Sequence, residues 1–214
     1  MPQDQVDPAE GAGDGRPIVA FDFDGTITVS DSFTAFLRWR AGPARYALGM
    51  TRLAPAALGY VVNKDRGRIK ARATAEFLKG ARRSQLEAEA SRFAAEVSGA
   101  FIRPDAALAW RRWREQPVRL VIVTASPGFV VAPFARGLGA DHLISTEMAY
   151  DADDRATGAF ATPNCRGEEK VKRLRAAFGP DVEIRAAYGD TDGDRAMLAV
   201  ATEVAGFRVF NGRP

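Results

Sequence analysis

The chain has 214 residues, 46% apolar and 27% charged, with a formal net charge of +3, enough for one α/β domain carrying a sizeable insertion or for two small domains. One cysteine, Cys165, excludes an internal disulfide and fits a reducing compartment, and one histidine, His142, excludes a His-rich metal centre. No apolar run reaches the roughly 18–20 residues of a membrane span.

Residues 1–15 are polar, acidic and glycine-containing; they read as a flexible tail without a secretory signal, so a cytoplasmic location is expected. Arg16 to Phe23 is the first expected strand. Helical spacing follows at Asp31–Arg40, then beyond Gly42-Pro43 in one or two helices reaching Val62 with a kink near Pro55, and again at Ile69–Lys79 and Gln85–Val97. Residues 30–102 therefore read as an all-helical insertion. Between Phe36 and Arg83 twelve basic residues face two acids, a local charge of +10 that leaves −7 for the rest. This implies either an anionic partner or an arginine-rich solvated face.

Alternation resumes with a helix over Pro104–Glu115 and an apolar strand over Val118–Val123. Ser126-Pro127 then reads as N-cap and first residue of a helix running to Gly137. A short strand at Leu143–Ser145, entered through a structural His142, precedes a hairpin within Met148–Phe160. Helix Glu168–Phe178, strand Ile184–Tyr188, helix Arg195–Ala201 and a last strand Phe207–Phe210 complete the pattern. Strands alternating with helices predict an α/β fold with a doubly wound parallel sheet, its core built from 16–29 and 103–214.

The chemistry gathers where strands end. Ile18 to Phe21 run into Asp22-Phe23-Asp24-Gly25-Thr26, two carboxylates at i and i+2, which an extended segment sends the same way. Paired acids suit attack on phosphorus with a neighbour handling protons and a divalent cation holding the charges together. Thr124 ends the second strand just before a helix start, a place for an anion. Lys170 sits in the first turn of its helix, where a lysine opposes the helix dipole unless it points inward at a phosphate. Asp190, Asp192 and Asp194 follow another strand, and hard oxygen donors suit Mg²⁺ over zinc. Singly, these could be a cap, a surface lysine and an acidic turn; together and in order they point to a phosphate-handling site.

Asp22-Phe23-Asp24-Gly25-Thr26, Thr124, Lys170 and Gly189-Asp190-x-x-x-Asp194 resemble the four motifs of the haloacid dehalogenase superfamily, in its phosphoserine-phosphatase-like subclass IB. The resemblance implies a Rossmann-like core, a helical cap and Mg²⁺ dependence. It makes Asp22 the nucleophile that forms an aspartyl-phosphate, and Asp24 the group that protonates the leaving alkoxide and then activates water. Asp22, the Asp24 main-chain carbonyl, Asp190 and Asp194 would hold Mg²⁺. Thr124 (ranked above Ser126), Ala125, Lys170 and Gly25 would bind the phosphoryl group; Asp192 receives no role.

Members that dehalogenate or cleave phosphonates lack an acid at the position of Asp24, so the resemblance implies a phosphatase or phosphomutase; mutases usually carry a different cap, which puts phosphatase first. Phosphoserine phosphatases carry a glutamate nine residues after the nucleophile; here that position is Asp31, a specificity candidate. Asp31 to Leu37 and Cys165 to Val171 look instead like C-type phosphatidylglycerophosphate phosphatases. With the basic insertion and its apolar Leu53–Val62 stretch, this implies a lipid-linked or bulky phosphomonoester met at the inner face of an anionic membrane. A small-molecule phosphatase of phosphoserine type and a regulatory protein that keeps the fold but only binds are the alternatives. No nucleic-acid partner is expected.

Overall fold

The computed structural model describes residues 15–63 and 66–214, with side chains described outside 54–69. The expected tail, apart from Gly15, and the side chains after Leu53 in the Leu53–Val62 stretch lie outside the described residues. The described elements are β1 (Ile18–Phe21), α1 (Ser32–Asn63), α2 (Arg66–Leu78), α3 (Arg83–Phe101), α4 (Pro104–Arg114), β2 (Arg119–Pro127), α5 (Gly128–Leu138) and β3 (His142–Thr146). A hairpin of β4 (Met148–Tyr150) and β5 (Ala156–Phe160) follows, then α6 (Glu168–Phe178), β6 (Ile184–Gly189), α7 (Arg195–Ala199) and β7 (Val204–Phe207).

Five parallel strands lie in the order β3-β2-β1-β6-β7. From β1 the chain goes on to β2 on one side, and from β6 to β7 on the other. The crevice of a doubly wound sheet therefore opens at the carboxyl ends of β1 and β6. Strand alternation sorts the core into two layers. Val19, Phe21, Leu120 and Ile122 join one apolar cluster with α3, α4 and α5. Ile18, Ala20, Val121 and Val123 join the other, with α6 and α7.

The first cluster runs on without a break into helices α1 to α3, which are inserted between β1 and β2. Phe134 of α5 is the hinge of that continuity. Its ring lies 5.5 Å from Phe23, 5.9 Å from Phe93 and 5.9 Å from Phe101. Backbone hydrogen bonds also fasten the insertion to the hairpin. Gly80 N–H donates to Ala156 O (2.7 Å), Ala156 N–H to Ala81 O (2.8 Å), and Arg83 N–H to Asp154 O (2.9 Å).

Several expectations need correction. The chain stays helical past Pro55, where a kink was expected, while the interruption expected at Gly42-Pro43 falls on Gly42 (φ 72°, ψ 165°); the glycine can take a backbone turn that L-residues avoid. Strand β2 runs on to Pro127, so Ser126 is no N-cap; α5 opens at Gly128 with Pro127 before it. The last strand is Val204–Phe207, because its partner β6 ends at Gly189, opposite Phe207. Beyond it Arg208 turns left-handed (φ 55°), and Phe210 packs on Tyr188, 5.2 Å between centroids. His142 lies edge-on to Phe178 at 5.2 Å, and burial beside Arg119 holds its pKa below the ordinary value.

Gly158 in β5 has φ 89°, and a Cβ there would stand 2.8 Å from the Ala75 Cα of α2. Gly158→Val combines a forbidden backbone angle with that clash, and is expected to lower stability by about 2–3 kcal/mol in urea denaturation. An unchanged midpoint would mean that the hairpin can retreat from α2 at no cost.

Candidate active site

Asp22 leaves β1 with extended backbone, and its N–H still donates to Tyr188 O of β6 at 2.9 Å. Phe23 turns the other way, into the aromatic cluster with Phe134. Gly25 then takes φ 83°, closing a wide turn in which Thr28 N–H donates to Phe23 O. A Cβ at position 25 would stand 2.4 Å from Asp190 Oδ2, so only glycine lets these two segments meet.

Lys170, 1% exposed, donates to Asp22 Oδ1 (2.6 Å), Asp194 Oδ1 (2.7 Å) and Val123 O (2.6 Å). All three ammonium protons are thereby used. Burial alone would lower its pKa, but Asp22 and Asp194 raise it above the ordinary value. Burial pushes Asp22 up to about 7 against the pull of Lys170, with Asp194 and Asp24 adding repulsion. Asp194 is also buried, but Lys170 and the hydrogen bonds from Thr191 outweigh that burial and hold it below the usual carboxylate range.

Asp24 faces different partners. Oδ2 accepts from Ser126 Oγ and Oδ1 from the Ser32 N–H at 2.6 Å, at the start of α1. Burial raises its pKa, repulsion from Asp31 adds to this, and the two serines oppose it. Two acids two residues apart thus occupy distinct electrostatic settings.

Asp22, Asp190 and Asp194 form a cluster whose carboxylate oxygens lie within 4.8 Å of one another. Burial and then Asp194 raise the pKa of Asp190, whose Oδ1 accepts from Thr26 Oγ1 at 3.2 Å. Crowded carboxylates with oxygen-only donors fit a hard divalent cation such as Mg²⁺. The Asp24 carboxylate is outside the cluster. Asp192 is exposed and pairs with Arg195 at 2.8 Å.

The other expected residues sort as follows. Thr124 is fully buried in the cavity wall, and its Oγ1 accepts from Ser126 N–H at 3.0 Å. Ala125 lines the same cavity. Gly25 N–H donates to Thr28 Oγ1 at 3.3 Å, so here it closes its own turn. Asp31 reaches the cavity, but its Oδ1 accepts from Thr34 N–H at 2.6 Å and caps α1.

A cavity of about 620 Å³ contains all of these except Asp192. Its floor comes from the strand ends and is polar. Its wall comes from α1 and α2 and is mostly apolar: Phe33, Leu37, Tyr46, Met50, Leu53 and Phe77.

A family model for haloacid dehalogenase-like hydrolases matches residues 19–199. The chain belongs to that family. The protein CicA of Caulobacter vibrioides is 55% identical over 197 residues, covering 92% of this chain and 88% of that one. A probable phosphatase of Mycobacterium tuberculosis is 39% identical over 82 residues, covering 37% of this chain and 28% of its own. Among solved structures, a Bordetella pertussis protein of unknown function superposes with TM-score 0.72 at 24% identity, covering 88% and 89% of the two chains. A substrate-bound phosphoserine phosphatase superposes with TM-score 0.58 at 15% identity, covering 89% and 85%. Membership of the family makes this chain a haloacid dehalogenase-like hydrolase, and the phosphoserine phosphatase shares its fold.

Three contributors to this hydrolase's site escaped the sequence reading. Lys70 is one of the twelve basic residues between Phe36 and Arg83, and among those whose side chains are described it alone lines the cavity. Ser126 holds Asp24, a role its expected place as a helix cap concealed. Arg103 donates to Gly25 O and Thr28 O (3.2 Å each) and to Gly212 O (2.9 Å). It braces the turn that carries Asp24, and no local pattern marks it.

Arg103→Met strips that turn of its brace while leaving the carboxylates in place. The variant is expected to keep its far-UV spectrum but lose about tenfold in kcat on p-nitrophenyl phosphate, since small misplacements of reacting groups are costly. Wild-type kcat would show that the turn holds itself.

Proposed function

We propose that this enzyme is a Mg²⁺-dependent phosphatase acting through an aspartyl-phosphate on a lipid-linked or similarly bulky phosphomonoester such as phosphatidylglycerophosphate. The observation that carries the reading is the cavity itself, a floor of carboxylates and lysine continuing into a wall of apolar side chains from α1 and α2. A small polar ester would leave that wall unused; an acyl-bearing one would bury against it.

Asp22, Asp190, Asp194 and the Asp24 main-chain carbonyl would hold the cation. When bound, it would offset the charge that builds on the phosphoryl oxygens and favour the ionised form of Asp22. Asp22 attacks phosphorus as the alkoxide leaves. Asp24, whose pKa is raised by burial, holds the proton that the alkoxide takes. Ser126 suits this exchange, because a hydroxyl donates to an ionised carboxylate and can turn to accept from a protonated one. In the second half, Asp24 takes a proton from the water that hydrolyses the phosphoryl-enzyme. Thr124 would bind one transferring oxygen, and Lys170 another by exchanging one of its three present hydrogen bonds for it.

The outer part of α1 supports contact with an anionic membrane. Leu48 and Met50 are 50% and 45% exposed beside the exposed Arg45 and Arg52, and Met50 also lines the cavity. Among the described residues no helix is long and apolar enough to cross a membrane. A phosphoserine-type reading is less favoured, because Asp31 is engaged in capping α1.

Asp22→Asn is expected to lower turnover by about 10³-fold or more. The phosphoryl adduct found by mass spectrometry of acid-quenched wild type should vanish with it; an adduct persisting in the variant would place the nucleophile elsewhere. Dialysis against EDTA is expected to abolish turnover and added Mg²⁺ to restore it, whereas full activity after chelation would exclude a required cation. Lengthening the acyl group of a glycerophosphate substrate from acetyl to hexanoyl should raise kcat/KM about tenfold or more, and Met50→Asp should blunt the gain. Indifference to chain length would sink the lipid reading.

A further inference from the structure

We propose that Lys70 reads a second anionic group on the substrate, set between the scissile phosphomonoester and its apolar part. The proposal rests on the phosphatase reading above and refines its substrate class. Lys70 projects from α2, and its two contacts mark the boundary between floor and wall. The ammonium donates to Ala125 O at 2.6 Å, next to Thr124, and lies 5.7 Å from the centre of the Phe33 ring. One carbonyl occupies one of three donors. Among the described residues Lys70 forms no ion pair, although Asp22, Asp24 and Asp31 line the same cavity.

Two of the Lys70 donors are therefore open to an anion on the ligand, whereas Lys170 has spent its three donors on Asp22, Asp194 and Val123. Arg166, also in the cavity wall, donates to Thr191 Oγ1 at 3.3 Å. Burial pulls the Lys70 ammonium below its ordinary pKa, with Asp24, Asp31 and Asp22 opposing. A partly desolvated cation with idle donors gains most from an anion delivered by the ligand. Its position fixes where that anion lies, beyond the leaving oxygen but before the Phe33 and Phe77 wall. A phosphodiester or a carboxylate a few bonds from the scissile ester meets that description. In phosphatidylglycerophosphate a phosphodiester stands there.

The test is Lys70→Gln, with Lys70→Arg as the conservative partner, on two matched sets of phosphomonoesters. One set carries acyl chains and the other none. Each contains a member with a neighbouring phosphodiester, one with a neighbouring carboxylate and one with neither. In Lys70→Gln the kcat/KM of the phosphodiester or carboxylate member, relative to the neutral one, is expected to fall about tenfold, chiefly through KM, in both sets. Lys70→Arg should recover most of that ratio, and whichever anion responds more names the group.

An equal loss on all members, or an arginine variant no better than glutamine, overturns the proposal. A wild type that ignores acyl chains defeats the lipid reading alone, since the chain-free set still tests Lys70. Binding of glycerophosphoglycerol against glycerol, followed by calorimetry, reads the same preference without turnover; no difference between wild type and Lys70→Gln overturns the proposal too. Should the glutamine variant fail to fold, Lys70→Met takes its place, with the same expected fall in the ratio and the same overturning outcomes.

Discussion

A buried ammonium between two carboxylates organises this molecule. Lys170 joins the residue after β1, Val123 in the middle of β2 and the turn after β6, so three strands and helix α6 meet at one nitrogen. Without it the crevice would hold three carboxylates with too little charge to offset them, an arrangement that folding alone would not tolerate. Lys170 answers part of that charge and leaves Asp22 and Asp190 with pKa values still raised. The site is thus stable enough to exist and electrostatically short of one more cation. Those two conditions are what a phosphoryl-transfer centre needs before its ligands arrive.

The polar floor and apolar wall come from separate stretches of chain. Strand ends and the turns after them supply carboxylates, Thr124 and Lys170, while α1 and α2 supply aromatic and aliphatic side chains. One aromatic cluster through Phe134 holds the two parts together, with Phe23, between the paired acids, as its contribution from the floor. Packing and chemistry therefore share a single tripeptide, Asp22-Phe23-Asp24, in which alternate side chains serve opposite ends.

This alternation explains what could be read from the sequence. A continuous apolar run ending in two acids, and strands alternating with helices, are local patterns, and they carried the sheet, most helices and the paired acids. Lys170 was legible because an inward lysine in a first helical turn contradicts local preference. Lys70 was not, since its side chain differs in no local respect from the basic residues around it; only the crossing of α2 over Ala125 singles it out. Ser126 was misread because Ser-Pro is a strong helix-start signal, and the continuation of β2 to Pro127 overrode it. Arg103 acts on carbonyls 78 and 75 residues earlier in the chain, a distance that no window captures.

The hairpin that fastens the insertion does so through main-chain groups of Gly80, Ala81, Arg83, Asp154 and Ala156. Such bonds do not depend on side-chain identity, so they survive substitution at Ala81, Arg83, Asp154 and Ala156, although Gly158 must stay a glycine where β5 meets α2. The mount of the apolar wall is in this sense insensitive to drift, whereas the wall's inner face is open to it. A lineage could exchange the side chains of α1 and α2 and alter which molecules enter, without disturbing where those helices stand above the strand ends. Selectivity and catalysis would then diverge at different rates within one chain.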